Sequence, residues 1–208
     1  MAVLSSFRRD ENGLSLTEAL LVLPIVLLVI TAMVEAGFAV FQWNQSVKAV
    51  QIGARIAAVS SPIVTDTAYA NLTADEAGID DGDPVPSANI VVTCGAGAAS
   101  CDATSLNRLL TGSDGACASP GAPGSIVGMC DVAPFIEASN VRISYTRSGL
   151  GYVGRPFGPV TNITVELRDL TFDFLLLDAL VPGISSFNIP AHPVSFTSED
   201  LKDCRDPC

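Results

Sequence analysis

The sequence predicts an α+β fold in which one long N-terminal helix continues into a small antiparallel sheet domain that contains disulfides. Three observations predict it: an uncharged apolar run over residues 19–34, later segments that alternate apolar and polar residues, and six cysteines that all follow the run. Alternation of period two is typical of half-buried strands. An even number of cysteines on one side of an apolar run favours disulfides.

The apolar run has the length and composition of a membrane-spanning helix. Residues 19–41 contain one charged residue and extend about 34 Å as a helix, against a hydrocarbon core of about 30 Å. Arg8 and Arg9 precede the run, and the next basic residue is Lys48. Because basic residues are enriched on the cytoplasmic side, we expect a cytoplasmic N-terminus and an exported C-terminal part.

Glu18 stands at the start of this run, five residues after Gly13. A carboxylate costs up to roughly 3 kcal/mol at the bilayer centre and less near the interface. Two interpretations are open. Glu18 either pairs with the amine that cleavage after Gly13 would create at Leu14, or reaches the headgroups from a helix N-terminus, where the macrodipole favours it.

Two further residues interrupt the apolar run. Pro24 removes one backbone hydrogen bond and is expected to kink the helix. Glu35 lies about 25 Å beyond Glu18 along a helix, which predicts a position near the outer membrane face. There it either pairs with a neighbouring protein or sits in the outer headgroups, and we favour the headgroups.

A secretory signal peptide is the main competing interpretation of the N-terminus. Its apolar region would extend over about 7–15 residues and end at an A-x-A-like site. The run here is longer, contains Glu35, and is not closed by such a site. We therefore favour a retained membrane helix.

The N-terminal pattern resembles that of a known family. Gly-x-x-x-x-Glu before an apolar helix is similar to the processing site of type IV prepilins, which a membrane peptidase cleaves after the glycine. The longer pattern resembles the TadE-like family of tight-adherence (Flp-type) pilus assembly proteins. Leu14 departs from type IV pilins, many of which have Phe there. The features that match are Gly13, Glu18, Pro24, Val34-Glu35-Ala36-Gly37 and Ile52-Gly53-Ala54-Arg55-Ile56-Ala57-Ala58.

The resemblance implies a pilin-like pseudopilin of the bacterial inner membrane that is processed after Gly13, with Glu18 neutralising the amine of an adjacent subunit. It implies as partners the lipid bilayer, a prepilin peptidase, a pilus assembly platform with its motor ATPase, and other pilin-like subunits. The alternative is an uncut, single-pass periplasmic structural or binding subunit of a larger membrane complex.

We expect four regions along the chain. They are a cytoplasmic leader (1–13), a transmembrane helix (14–43), a periplasmic continuation of that helix (44–62) and a periplasmic cysteine-containing α+β domain (63–208). The continuation places apolar residues on one stripe, with Lys48, Gln51 and Arg55 off it, and Pro62 is expected to end it. The stripe consists of Val47, Val50, Ala54 and Ala57.

Strands are expected mainly late in the chain. Residues 140–147 and 160–170 alternate and form a natural antiparallel pair, after a first strand at 89–93. The stretch 189–196 is interrupted by prolines, which predicts an edge strand. The strongly apolar residues 172–181 are expected to pack under the sheet or to contact the membrane.

A short helix is expected over 65–79, ending in a turn at Asp80-Asp81-Gly82-Asp83-Pro84. The acidic stretch 75–83, at the end of this helix and in the turn, is here called the acidic turn. Its carboxylates could hold Ca²⁺, but their spacing fits no EF-hand loop, and a solvated turn is the favoured interpretation. The acids concerned are Asp75, Glu76, Asp80, Asp81 and Asp83.

The six cysteines favour an oxidising periplasm, where disulfides hold the long Gly-, Ala- and Ser-rich segment 95–129. Zinc is the rival, but the chain has no C-x-x-C pair and one histidine, so we predict no metal site. Fifteen connectivities are formally open. The expected pairs are Cys94–Cys101, Cys117–Cys130 and Cys204–Cys208.

Composition and motifs also exclude classes of function. A net charge of -11 argues against nucleic-acid binding and against docking on anionic lipid through a basic patch. The chain has no P-loop, dinucleotide fingerprint, G-x-S-x-G or HExxH, and His192 lies beside Pro193 without a partner motif. We therefore expect no enzyme activity and no cofactor.

Overall fold

A computed structural model describes residues 12–198, apart from 118–123, 156–157, 175, 181–182, 184–185 and 190–191. The chain divides into two compact units. One contains the described parts of Met1–Phe41 and Thr171–Phe187, and the other those of Gln42–Leu170 and Asn188–Cys208. The expected α+β class, with one long helix before an antiparallel sheet domain, is confirmed.

One helix, α1 (Asn12–Val59), contributes residues to both units and includes Pro24. Its residues 18–30 are exposed on every face, although most of them are large and apolar. Within the described residues it is the one helix long and apolar enough to cross a membrane. This first part of α1 is therefore suited to a lipid environment and to anchoring.

The second part of α1 is a core helix with one buried face. Val50, Ala54 and Ala57 are buried, whereas Lys48, Gln51 and Arg55 are exposed, as the predicted stripe requires. Gly53 is buried on the same face, where an added Cβ would lie 2.5 Å from Met129 Sδ. Small residues thus allow the domain to pack closely on this face.

The described residues contain six strands. They are β1 (Ile90–Gly95), β2 (Val141–Arg147), β3 (Thr161–Leu167), β4 (Thr171–Asp173), β5 (Ser186–Asn188) and β6 (Val194–Thr197). An antiparallel four-stranded sheet has the order β1-β2-β3-β6, and β4 pairs with β5 in a separate two-stranded sheet. The predicted pairing of the two alternating segments is confirmed, with Val141 opposite Leu167 and Arg147 opposite Thr161. The predicted edge strand is β6, which is shorter than the predicted stretch 189–196.

In the described part of the chain the shorter helices are α2 (Asp66–Ala70), α3 (Ala103–Thr111), α4 (Met129–Val132) and α5 (Leu177–Leu180). Two 3-10 turns cover Asn71–Thr73 and Ala138–Asn140. The helix expected over 65–79 is thus shorter than predicted. Thr73 Oγ1 donates to the carbonyl of Ala70 (3.0 Å), and such local bonds compete with helix continuation.

Helix α3 lies inside the Gly-, Ala- and Ser-rich segment 95–129, for which the sequence predicted no helix. Asp102 caps the helix by accepting the backbone N–H of Ser105 at Oδ1 (2.9 Å), and Leu109 and Leu110 are buried. The N-cap satisfies a backbone donor that otherwise has no intrahelical partner. A cap and leucines at helical spacing therefore form a helix within a segment that is rich in small residues.

The core of the second unit contains a charged side chain, that of Arg147, which is the last residue of β2. Its side chain is 0 % exposed, and it donates from Nη2 to Asp75 Oδ2 (2.6 Å) and from Nη1 to Glu76 Oε1 (3.2 Å). These bonds attach the acidic turn to the sheet. The hydrogen bond from Arg147 and its positive charge lower the pKa of Asp75.

Leu109→Ala tests whether α3 is part of the core. Because Leu109 is fully buried, the substitution should lower the free energy of unfolding by about 2–5 kcal/mol. Urea unfolding of the detergent-solubilised chain measures it. Leu150→Ala, at an exposed leucine, is the control and should change stability by no more than about 0.5 kcal/mol. Equal, small effects of both substitutions would contradict the packing.

Asp75→Asn tests the link between the acidic turn and Arg147. Since folding lowers the pKa of Asp75 below its unfolded value of about 3.9, its contribution is present above that pH and is lost as the pH falls through the folded pKa. Between pH of about 6 and about 2, the wild type should therefore lose more unfolding free energy than Asp75→Asn.

Asp80→Asn, at an exposed acid of the same turn, is the control and should follow the wild-type profile. Urea unfolding at each pH measures all three chains. Parallel pH profiles for wild type and Asp75→Asn would contradict the role of this ion pair.

Candidate functional site

The candidate site is the N-terminal part of α1, which contains the residues of the predicted processing motif. The helix begins at Asn12, so Gly13 and Leu14 lie in its first turn. Leu14 and Glu18 are four residues apart and therefore share one face of the helix. An amine created at Leu14 would lie one turn from the Glu18 carboxylate.

Glu18 itself is exposed. Large apolar side chains surround it along the helix, including Leu21 at 75 % exposure and Leu20 at 63 %. A carboxylate in such a setting is stabilised by a positive partner or by an interfacial position. The geometry is thus compatible with both interpretations of Glu18 that the sequence leaves open.

Pro24 lies inside α1, six residues after Glu18. A proline has no backbone N–H, so the carbonyl of Leu20 lacks its usual helical donor. In a lipid-facing helix such a carbonyl is a local weak point. The kink predicted at Pro24 stays a prediction.

Glu35 has partners that its sequence context does not reveal. Its side chain is 3 % exposed, and Oε1 accepts the backbone N–H groups of Leu176 and Leu177, the latter at 3.0 Å. Its Oε2 is also buried, with no hydrogen-bond partner among the described residues. Glu35 thus holds the N-terminal end of α5 within its own unit, instead of facing only headgroups or a neighbouring protein.

The acidic turn does not assemble a metal site in the described part of the chain. Asp75 and Glu76 are engaged by Arg147, and no group of three or more potential ligands is found there. The favoured interpretation of a solvated turn is also incomplete, because Asp75 and Glu76 pair with the buried Arg147. The alternation of β2 contains the signal, since Arg147 continues the buried series Val141, Ile143, Tyr145.

A cavity of about 570 Å³ lies between the end of α1 and the start of α3. Its lining includes Ile56, Asp66, Asp102 and Arg108, together with several hydroxyl side chains. No histidine or cysteine lines it, so it does not pair a nucleophile with a histidine base. Asp102 is already the cap of α3.

His192, the chain's single histidine, stacks on Trp43 with ring centroids 5.7 Å apart. Both residues belong to the second unit, so the contact holds the segment before β6 against α1. This arrangement gives His192 a packing role in the described structure.

The described residues contain two disulfides, and both have the expected pairing. Cys94–Cys101 closes the turn after β1, and Cys117–Cys130 joins the segment after α3 to α4. The sequence separations are 7 and 13 residues. The third expected pair, Cys204–Cys208, lies outside the described residues and stays a prediction.

Comparison with known proteins gives one match. The family model described as "TadE-like protein" matches residues 13–55. No curated protein and no solved structure matches the chain significantly. The match begins at Gly13 and ends four residues before the end of α1, so it covers Glu18, Pro24 and Glu35.

The matched residues coincide with the lipid-suited part of α1 and most of its core-packing part. They do not extend into the sheet domain. The resemblance predicted from the N-terminal pattern is therefore confirmed: residues 13–55 of this chain form a TadE-like segment.

Proposed function

We propose that this chain is a TadE-like pseudopilin, a minor pilin that takes part in assembly of a tight-adherence type IVb pilus. The single observation that carries the proposal is the family match over residues 13–55. The exposed apolar surface of α1 supports it, because pilin-like subunits use such a helix both in the membrane and against one another. The role is structural, without catalysis.

Processing after Gly13 is part of this proposal. The match starts at Gly13, and the Leu14–Glu18 spacing would place a new amine near a carboxylate. A prepilin peptidase would make the cut. Glu18 would then neutralise the Leu14 amine of an adjacent subunit, which removes two isolated charges from an apolar contact.

The proposed location is the bacterial inner membrane, with a single span, a cytoplasmic N-terminus and a periplasmic domain. Arg8 and Arg9 before the span support this orientation, and two disulfides in the domain support an oxidising compartment. An assembly platform and other pilin-like subunits are the proposed protein partners.

A second function is favoured by a different observation. The family match stops at residue 55, and the sheet domain has its own core. An uncut, membrane-anchored periplasmic subunit of a larger membrane complex would also use α1 and this domain. Retention of residues 1–13 in the mature protein distinguishes it from the pseudopilin.

Glu18→Gln tests the assembly role, since it removes the charge and keeps the side-chain shape. In cells with the variant as their sole copy, surface pili counted by electron microscopy should fall to the level of a strain that lacks the chain. The variant should still be recovered in the membrane fraction, because α1 becomes more apolar.

Glu137→Gln, at an exposed acid of the second unit, is the matched control and should leave pilus number unchanged. Normal piliation in Glu18→Gln cells would rule out the proposed charge pairing. Normal piliation without the chain would rule out the assembly function itself.

A further inference from the structure

Residues 171–187, here called the apolar ribbon, are the part of the first unit that lies outside α1. Nine of these 17 residues are Phe, Leu, Ile or Val, and the charged ones are Asp173 and Asp178. The ribbon's described residues include β4, α5 and the first two residues of β5. Its composition is closer to that of the membrane helix than to that of the sheet domain.

Glu35 fixes the ribbon to a defined level of the membrane helix. The backbone N–H groups of Leu176 and Leu177 donate to Glu35 Oε1 across 141 and 142 residues of sequence. Glu35 is 16 residues beyond Ala19, where the apolar run begins, or about 24 Å along a helix. Since a hydrocarbon core is about 30 Å thick, this level is close to its far boundary.

The same contact makes the ribbon suitable for a region with little water. The first N–H groups of a helix have no intrahelical acceptor, and leaving such groups unpaired in lipid is costly. Glu35 Oε1 accepts the N–H of Leu177, the first residue of α5, and that of Leu176 just before it. These backbone groups and Glu35 Oε1 are therefore paired within the protein.

Three aromatic rings stiffen the ribbon. Phe172, Phe174 and Phe187 form a cluster with ring centroids 5.3–5.7 Å apart. Phe172 is buried, but Phe187 is 40 % exposed and Leu176 is 53 % exposed. The ribbon therefore presents large apolar side chains from a fixed scaffold.

We propose that the apolar ribbon is a second membrane-contacting element, which inserts Leu176 and Phe187 into the outer interfacial region of the bilayer at the level fixed by Glu35. The inference needs α1 to span the membrane, but it needs neither processing at Gly13 nor a pilus. Its partner is lipid, recognised through apolar contact.

Continuity with the exposed surface of α1 favours lipid as the occupant. Glu35 is flanked on α1 by Val34 and Phe38, which are 54 % and 53 % exposed. In the same unit Leu176 and Phe187 are also exposed, and Leu176 is bonded through its backbone to Glu35. The ribbon contains no basic residue, so anionic headgroups are not required, and binding should be insensitive to salt.

Tryptophan scanning of the full chain in phosphatidylcholine vesicles tests the proposal. In a Trp43→Phe background, which removes the only tryptophan, Leu176→Trp should show blue-shifted emission. Lipids brominated near the headgroup should quench it more strongly than lipids brominated near the chain ends, and aqueous iodide should quench it weakly. Added salt should not change this pattern.

Two matched positions complete the experiment. Val91→Trp, at a strand residue that is 57 % exposed, should be quenched by iodide and not by brominated lipid. Leu27→Trp, in the middle of the span, should be quenched by bromines near the chain ends. Failure at Leu27 would overturn membrane anchoring itself, whereas failure at Leu176 alone would overturn only the proposed role of the ribbon.

Iodide quenching of Leu176→Trp like that of Val91→Trp would show that the ribbon is in water. Protection from both quenchers would show that protein covers it, which also overturns the proposal. Glu35→Ala should reduce the quenching of Leu176→Trp by brominated lipid while leaving Leu27→Trp unchanged. Unaltered quenching in that background would refute the role assigned to Glu35.

Discussion

The structure depends on one constraint: a single continuous helix must be stable in two different surroundings. From Thr17 to Phe41, α1 exposes apolar side chains on nearly every face, as lipid requires, and it satisfies its backbone groups internally except at Pro24, where the carbonyl of Leu20 lacks its donor. Beyond Gln42 it has one buried face of small residues, including Gly53 and Ala54, on which the domain packs. The transition requires no break in the helix, because helical hydrogen bonds are the same in both surroundings.

Two buried charged side chains attach distant parts of the chain to this framework. Glu35 holds the ribbon through backbone donors, and Arg147 holds the acidic turn through two carboxylates. A buried charge is tolerated only where partners compensate it, and removing one partner is strongly destabilising. The Arg147 contacts therefore fix the position of a surface turn, and the Glu35 contacts fix the position of a short ribbon.

The features that could be predicted from the sequence are those determined by nearby residues. The apolar run, the alternation of β2 and β3, the stripe around Val50 and Ala54, and two disulfides that join cysteines 7 and 13 residues apart belong to this group. The partners of Glu35 and Arg147 could not be predicted in the same way, because they lie 141 and about 71 residues away along the chain. Helix α3 was not predicted, although its sequence has a cap, Asp102, and leucines at helical spacing, because small residues dominate the flanking segments.

We propose that α1 is a pilin-like helix that is processed at its start. The most direct test is the intact mass and N-terminal sequence of the mature protein, purified from its native membrane. The mature chain should begin at Leu14, immediately after the glycine at which the TadE-like match starts. A mature chain that begins at Met1 or Ala2 would contradict the proposed processing and would identify α1 as an uncut anchor.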